Sequence, residues 1–215
     1  RSNPFFVRDL ERCILCGKCV RTCDEIQNRQ AIHYAYRGMA TKIAAELDRD
    51  MLYSLCEFCG QCVSKCPVGA LYTWDEFKYG LPTKSVRTIC SYCGVGCGLV
   101  LQTRGQLIIG ALGDHENPVN GGRTCVKGRF GYSFVNHPDR LTTPLIKQDG
   151  KFIQASWDEA LDFVADRLAE IKQRHGGDAI AVLSSAKCTN EENYLLQKFT
   201  RAVLGTNNID HCARL

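Results

Sequence analysis

Hydrophobic and polar positions change rhythm along the chain. From residue 31, AIHYAYR alternates loosely and predicts a strand. TKIAAELDRDML, from residue 41, is rich in helix formers and lines Ile43, Leu47 and Leu52 along one side, which predicts a helix. After Pro82 the segments SVRTIC, GLVLQT and QLIIGALGD read as three short strands, with Arg104-Gly105 turning the last two into a hairpin. Farther on, Ser156 and Glu159 form a capping box that opens a helix. Ala160, Leu161, Val164, Leu168 and Ile171 follow its period, and Gly176-Gly177 closes it. AIAVLSS then reads as a short buried strand. A second capping box, Thr189 with Glu192, opens a helix that stops near Gly205, and NNID predicts the next strand. Helix, strand, helix and strand in that order predict a parallel α/β unit. Such sheets bind ligands at their strand carboxyl ends, here the SSAKCTN loop and the DHCARL segment. No apolar run is long enough to span a bilayer. No signal-peptide pattern stands at the start, which is Arg1 rather than Met.

Composition adds one decisive feature. The hydrophobic fraction, 45%, is ordinary for a globular protein, but there are 14 cysteines in 215 residues. They are bunched in short C-x-x-C runs, where near neighbours share one point in space. That favours a metal over the disulfide framework of a small secreted domain. RCILCGKCVRTCDE (12–25) and LCEFCGQCVSKCPV (55–68) both read C-x2-C-x2-C-x3-C, with Gly17 matching Gly60 and Val20 matching Val63, so the chain carries an internal repeat. The second copy ends in Cys66-Pro67, as bacterial ferredoxin runs do; the first has Asp24 where the proline would stand. Three cysteines at this spacing wrap one cuboid cluster. In two-cluster ferredoxins the fourth ligates the other cluster. The expected ligand sets are therefore Cys13, Cys16, Cys19 and Cys66 for one cluster, and Cys56, Cys59, Cys62 and Cys23 for the other. Zinc ribbons instead use two separated C-x-x-C pairs per metal, a poor match. His33, inside the predicted strand, is expected to be a packed or surface residue rather than a ligand.

The third set has a different spacing. Cys90, Cys93 and Cys97 lie in the glycine-rich loop SYCGVGCG between two predicted strands, and the next cysteine is Cys125, with Lys127 two residues on. The whole reads C-x2-C-x3-C-x27-C. The formal charge is +4, but the basic residues are scattered and form no run of five. Three clusters with their thiolates would bring about six negative charges and turn that sum to about −2, which argues against a nucleic-acid partner.

This third pattern resembles the amino-terminal cluster domain of the molybdenum/tungsten bis-pterin oxidoreductases. TCVKGRFGYSFVNHPDRLTTPLIK (124–147), SSAKCTNEENYLLQKFTRAVLGTNNIDHCARL (184–215) and NPFFVRDLERCILCGKCVRTCDEIQ (3–27) resemble the formate dehydrogenase branch, and together cover nearly the whole chain. The resemblance implies a [4Fe–4S] cluster on Cys90, Cys93, Cys97 and Cys125, with Lys127 bridging it to the pterin as a cation held between two negative groups. It also implies a bis-molybdopterin guanine dinucleotide carrying molybdenum or tungsten, and a cytoplasmic location. Flavin or iron–sulfur partner subunits linked to NAD(P) or ferredoxin are expected, with formate and carbon dioxide as substrates. The metal-ligating cysteine or selenocysteine is expected directly after Leu215, so no catalytic residue is expected in this sequence. Cys188 and Cys212 are left over and are expected to be small buried residues.

The expected architecture is an α+β ferredoxin-like two-cluster module over residues 1–84, a small β-rich [4Fe–4S] domain over 85–141, and the start of an α/β pterin-binding domain over 142–215. Two other readings compete with the enzyme. One is a noncatalytic iron–sulfur subunit of a hydrogenase or of an NADH dehydrogenase-like complex. The other is a zinc-rich structural or nucleic-acid-binding module.

Overall fold

The computed structural model describes residues 3–212. The chain divides between His137 and Pro138 into two compact units.

The first unit begins with β1 (Phe6–Arg8). The short helix α1 (Lys18–Arg21) runs on as a π-helical turn over Thr22–Ile26. Then come β2 (His33–Ala35), β3 (Lys42–Ala44), α2 (Gln61–Lys65), β4 (Leu71–Thr73) and α3 (Trp74–Tyr79). β1 pairs antiparallel with β4, Phe6 opposite Thr73, and β2 pairs antiparallel with β3, His33 opposite Ala44. Between these ribbons Phe6, Ile32, Ile43, Ala45, Met51 and Val63 form a core, with Cys13, Cys19, Cys23, Cys56 and Cys62 packed on it.

The helix expected over TKIAAELDRDML does not form. Ile43, Ala44 and Ala45 are consecutive and all buried, which suits a chain laid against a partner strand and the core rather than one face of a helix. Leu47, expected on the helix's apolar side, is 85% exposed. Leu47 and Asp48 both take left-handed backbone angles, φ 53°, which no helix interior tolerates. Asp48 instead accepts an ion pair from Lys42 at 2.6 Å and a hydrogen bond from Tyr36 at 2.8 Å.

The three strands expected after Pro82 are present as β5 (Lys84–Ile89), β6 (Gly98–Arg104) and β7 (Leu107–Gly113). They form an antiparallel meander with a bulge at Gln102/Thr103, and Gly105 turns the β6–β7 hairpin at φ +60°. A five-residue helix, α4 (Val126–Phe130), follows the long loop after β7.

In the second unit β8 (Leu145–Gln148) and β9 (Lys151–Gln154) form a hairpin through Asp149-Gly150, both at positive φ, as a two-residue turn requires. The helix α5 (Trp157–His175) starts at the Ser156–Glu159 capping box and ends at Gly176, as expected. β10 (Val182–Ser184) is followed by α6 (Asn190–Lys198), opened by the Thr189–Glu192 box. α6 continues as a π-helical stretch to Leu204, and Gly205 stops it in the left-handed region. β11 (Ile209–His211) pairs parallel with β10, the expected α/β unit. The Ala213–Leu215 part of the DHCARL segment lies outside the described residues. No helix among the described residues is long and apolar enough to cross a membrane.

Candidate metal centres

The two repeats adopt the same unusual backbone. Leu15 and Phe58 stand at φ 54° and 53°, and Gly17 and Gly60 at φ 72° and 73°, each pair at corresponding repeat positions. Gly17 and Gly60 are the residues from which α1 and α2 start, so Cys19 and Cys62 fall in a first helical turn behind a tightly curled loop. Alternation of right- and left-handed residues turns successive backbone N–H groups inward, a concavity suited to an anionic group. Two thiols already accept such bonds: Cys56 Sγ from the Phe58 N–H at 3.4 Å, and Cys23 Sγ from the Ala31 N–H at 3.3 Å.

The repeats then diverge for the reason the sequence displays. Cys66 precedes a proline, which disfavours helical backbone at that position, and it is extended at φ −73°, ψ 115° where α2 ends. Cys23 precedes Asp24, so the chain stays helical and Cys23 sits inside the π-helical turn.

Two cavities lie in this region. One is lined by Cys13, Cys16, Cys19 and Cys66, with Cys62 on its wall. The other is lined by Cys23, Cys56, Cys59 and Cys62. Each thus gathers a triplet from one repeat and the fourth cysteine of the other. Phe6, Ile32 and Met51 line both and form the partition. Burial pushes the Cys62 thiol far up, and the neighbouring Cys59, Cys56, Cys19 and Cys23 add to it. Burial also raises Cys56 to about 11, and raises Cys59 and Cys19. Thiols so placed cannot ionise together without a cationic core between them, so this donor set fits an iron–sulfur cluster. Among the described residues no three His, Cys, Asp or Glu side chains converge closely enough to hold a single ion.

The third set lies at one end of the meander. The Cys90 N–H donates to the Cys97 carbonyl at 2.8 Å, closing the loop that carries Cys93 just beyond the pairing of Ile89 with Gly98. Asn120 pins the loop after β7 onto the same strand end. Its Oδ1 accepts from the Gly98 N–H at 2.8 Å, and its Nδ2 donates to the Gly98 carbonyl at 3.1 Å and the Arg123 carbonyl at 2.6 Å. That brings Cys125, immediately before α4, to the loop. The Cys97 thiol is raised by burial and then by Cys90, Cys93 and Cys125, each near enough to act on it. Cys93 and Cys125 are exposed. Lys127 is exposed too and lines a hollow with Cys90, Ser91 and Tyr92.

The cysteine spacing does not reveal the seam between the second repeat and the third set. Thr124 Oγ1 donates to the Cys59 carbonyl at 2.9 Å, and Gln61 Nε2 donates to the Gly122 carbonyl at 2.7 Å. Arg129, 3% exposed, donates through Nη1 to the Ala111 carbonyl and stacks over Phe130. Burial pulls its guanidinium below the ordinary value while Glu76, Tyr132, Cys62 and Cys59 act the other way. An arginine stays charged through such a balance. The signal that could have found it is one buried-type constraint, a glycine at position 60 that leaves room for a large side chain from elsewhere.

The remaining predicted residues fall apart from these sets. His33 is exposed, its Nε2 bonded to the Gln30 carbonyl at 2.6 Å, as expected for a surface residue. Cys188 is half-buried, but Cys212 is exposed, which corrects the expectation that both are buried. Cys212 lies just past the carboxyl end of β11, where a two-stranded sheet offers little cover. Its Sγ is 3.6 Å from Ser185 Oγ, and that contact lowers its thiol below the ordinary value.

Three family models tile the chain in this order. Residues 3–72 match the ferredoxin-like domain of NADH-quinone oxidoreductase subunit 3, residues 83–137 the molybdopterin oxidoreductase Fe4S4 domain, and residues 140–215 the molybdopterin oxidoreductase domain. Over 99% of its length the chain is 36% identical to a Bacillus subtilis (strain 168) protein named "Probable oxidoreductase YjgC". It is 35% identical, again over 99% of its length, to "Putative formate dehydrogenase SAR2393" of Staphylococcus aureus (strain MRSA252) and to "Putative formate dehydrogenase SAUSA300_2258" of strain USA300. The chain spans 26% of the length of each of these relatives.

Proposed function

From a chain that carries the Fe4S4 and molybdopterin domains of the molybdopterin oxidoreductases behind an NADH-quinone oxidoreductase subunit 3-type ferredoxin-like domain, we propose that this sequence is the iron–sulfur electron-transfer portion of a formate dehydrogenase. Its clusters are three [4Fe–4S] centres. Cys13, Cys16, Cys19 and Cys66 hold the first, Cys23, Cys56, Cys59 and Cys62 the second, and Cys90, Cys93, Cys97 and Cys125 the third. The observation that carries the reading is the exchange of fourth cysteines between the two repeat cavities beside a third, differently spaced set that ends next to Lys127.

Formate oxidation to carbon dioxide releases two electrons and one proton, and a molybdenum or tungsten centre on two pterins supplies the two-electron chemistry when bound. The contribution of this chain is to hold one-electron carriers in fixed positions and to tune them through backbone N–H groups and nearby charge. Lys127, exposed beside Cys90, is the residue proposed to face the pterin. Cytoplasmic flavin or iron–sulfur subunits linked to NAD(P) or ferredoxin are the proposed partners. The test is formate-dependent reduction of a viologen dye by the anaerobically purified holoenzyme. Dye reduction is expected. No reduction by protein with full iron and pterin loading refutes the formate reading and favours a noncatalytic electron-transfer subunit.

A further inference from the structure

The two repeats are alike in sequence and backbone, yet their surroundings differ in charge. Gly17 is covered by the hydroxyl of Tyr34 and approached by Arg21, both exposed side chains. Gly60, between Cys59 and Cys62, is covered by Arg129, which is buried. The fit is close: a Cβ on Gly60 would lie 2.6 Å from both Cγ and Nε of Arg129 and 2.9 Å from its Cδ. Arg129 Nε is fully buried and has no hydrogen-bond partner among the described residues. A buried N–H without an acceptor is costly, so an unsatisfied donor against a ligand loop points to an acceptor that occupies the site when it is complete. The sulfur atoms of a cluster are such acceptors. Glu76 is the nearby carboxylate, and it is already engaged by the Thr73 N–H at 2.8 Å in the box that opens α3.

We propose that Arg129 is a tuning residue. It supplies a fixed positive charge to the cluster held by Cys23, Cys56, Cys59 and Cys62, and makes that cluster the more readily reduced of the repeated pair. The inference rests on the cluster assignment above. Reduction adds one electron and no proton, so the core becomes more negative by one charge. A buried cation stabilises that state more than the oxidised one because little water screens it. Hydrogen bonds to cluster sulfur act in the same direction. The missing side chain at Gly60 is what allows the guanidinium this close. Arg129 also belongs to the short helix that follows Cys125, and Thr124 bonds the Cys59 carbonyl. The tuned cluster is therefore the one whose ligand loop is stitched to the loop of the third set, and it is the natural recipient of electrons from there.

The experiment is an EPR-monitored redox titration of the holoenzyme carrying R129Q or R129K, poised with dithionite and dyes in the absence of formate. The wild type is expected to show distinct midpoint potentials for the repeat clusters. R129Q is expected to lower the higher one and leave the other in place. R129K, which keeps the charge but loses the planar donor, is expected to lower it by less. A C59S variant identifies the affected signal, since serine ligation alters that cluster alone. Unchanged potentials in iron-complete R129Q, or equal shifts of both clusters, overturn the proposal. If R129Q fails to retain its iron, R129K decides: a fall in the one potential supports the proposal and no fall overturns it. Formate plays no part in the titration, so a holoenzyme inactive with formate leaves this result standing. Iron analysis separately reads whether the clusters exist at all.

Discussion

Replacing Gly60 with alanine adds one methyl group to a loop with no room for it. Two costs combine. Gly60 stands at φ +73°, where a residue with a Cβ is strained by about 1–2 kcal/mol. The new methyl would also press on Arg129 at 2.6–2.9 Å, and overpacking of that kind costs about 1–3 kcal/mol. Gly69 separates the two. It has φ +64° but nothing within 4 Å of an added Cβ, so G69A carries the backbone cost alone. G60A is thus expected to exceed G69A by about 1–3 kcal/mol, up to roughly five- to 160-fold in a rate governed by unfolding. Cluster proteins unfold irreversibly, so the assay is the rate of loss of the brown chromophore in urea under anaerobic conditions. A double-mutant cycle with R129A completes it: once the arginine side chain is gone, G60A should cost no more than G69A. Equal rates for the two alanine variants, or a G60A cost that survives R129A unchanged, would show that Arg129 does not pack on the Cys59–Cys62 loop.

Further consequences follow from individual contacts. Tyr132 Oη shares its single proton between Asp75 Oδ2 at 2.5 Å and the Ile109 carbonyl at 3.0 Å, so Y132F should cost about 1.5–3 kcal/mol in the same assay. Its phenol is raised by burial and then by the Asp75 hydrogen bond. The stabilisation it gives is therefore complete below the unfolded-state value near pH 10 and lost as pH rises above it, so the gap between wild type and Y132F should narrow there. S156A removes the acceptor of the Glu159 N–H at the start of α5 and should cost about 1 kcal/mol, read as faster hydrogen exchange in that first turn; S156T should restore protection. C125S should abolish the third cluster and leave both repeat-cluster signals intact, with iron falling by about four per chain. Loss of all iron in C125S would contradict a separate third site.

What the sequence disclosed is what local chemistry controls. The cysteine spacing and the glycines at 17 and 60 announced the curled loops, because a left-handed turn beside a thiol has few other solutions. The capping boxes at Ser156 and Thr189 marked both helix starts, because each is a short-range hydrogen-bond pattern. The segment 41–52 misled because its helix-forming residues carry only a weak preference, which the burial of Ile43, Ala44 and Ala45 against β2 and the core overrides. Arg129 stayed hidden for a different reason. In sequence it is one basic residue in GRFG; its meaning comes from Gly60, 69 positions away, and from the absence of a side chain there. The role proposed for Lys127 rests on the resemblance alone, since an exposed lysine carries no local signal of its own.

If the three four-cysteine sets hold three [4Fe–4S] clusters, iron and acid-labile sulfide analysis of the anaerobically purified holoenzyme will show it. About twelve irons are expected in these sites with matching sulfide, and a brown chromophore bleached by dithionite. Zinc in place of iron, with no sulfide and no bleaching, would contradict it.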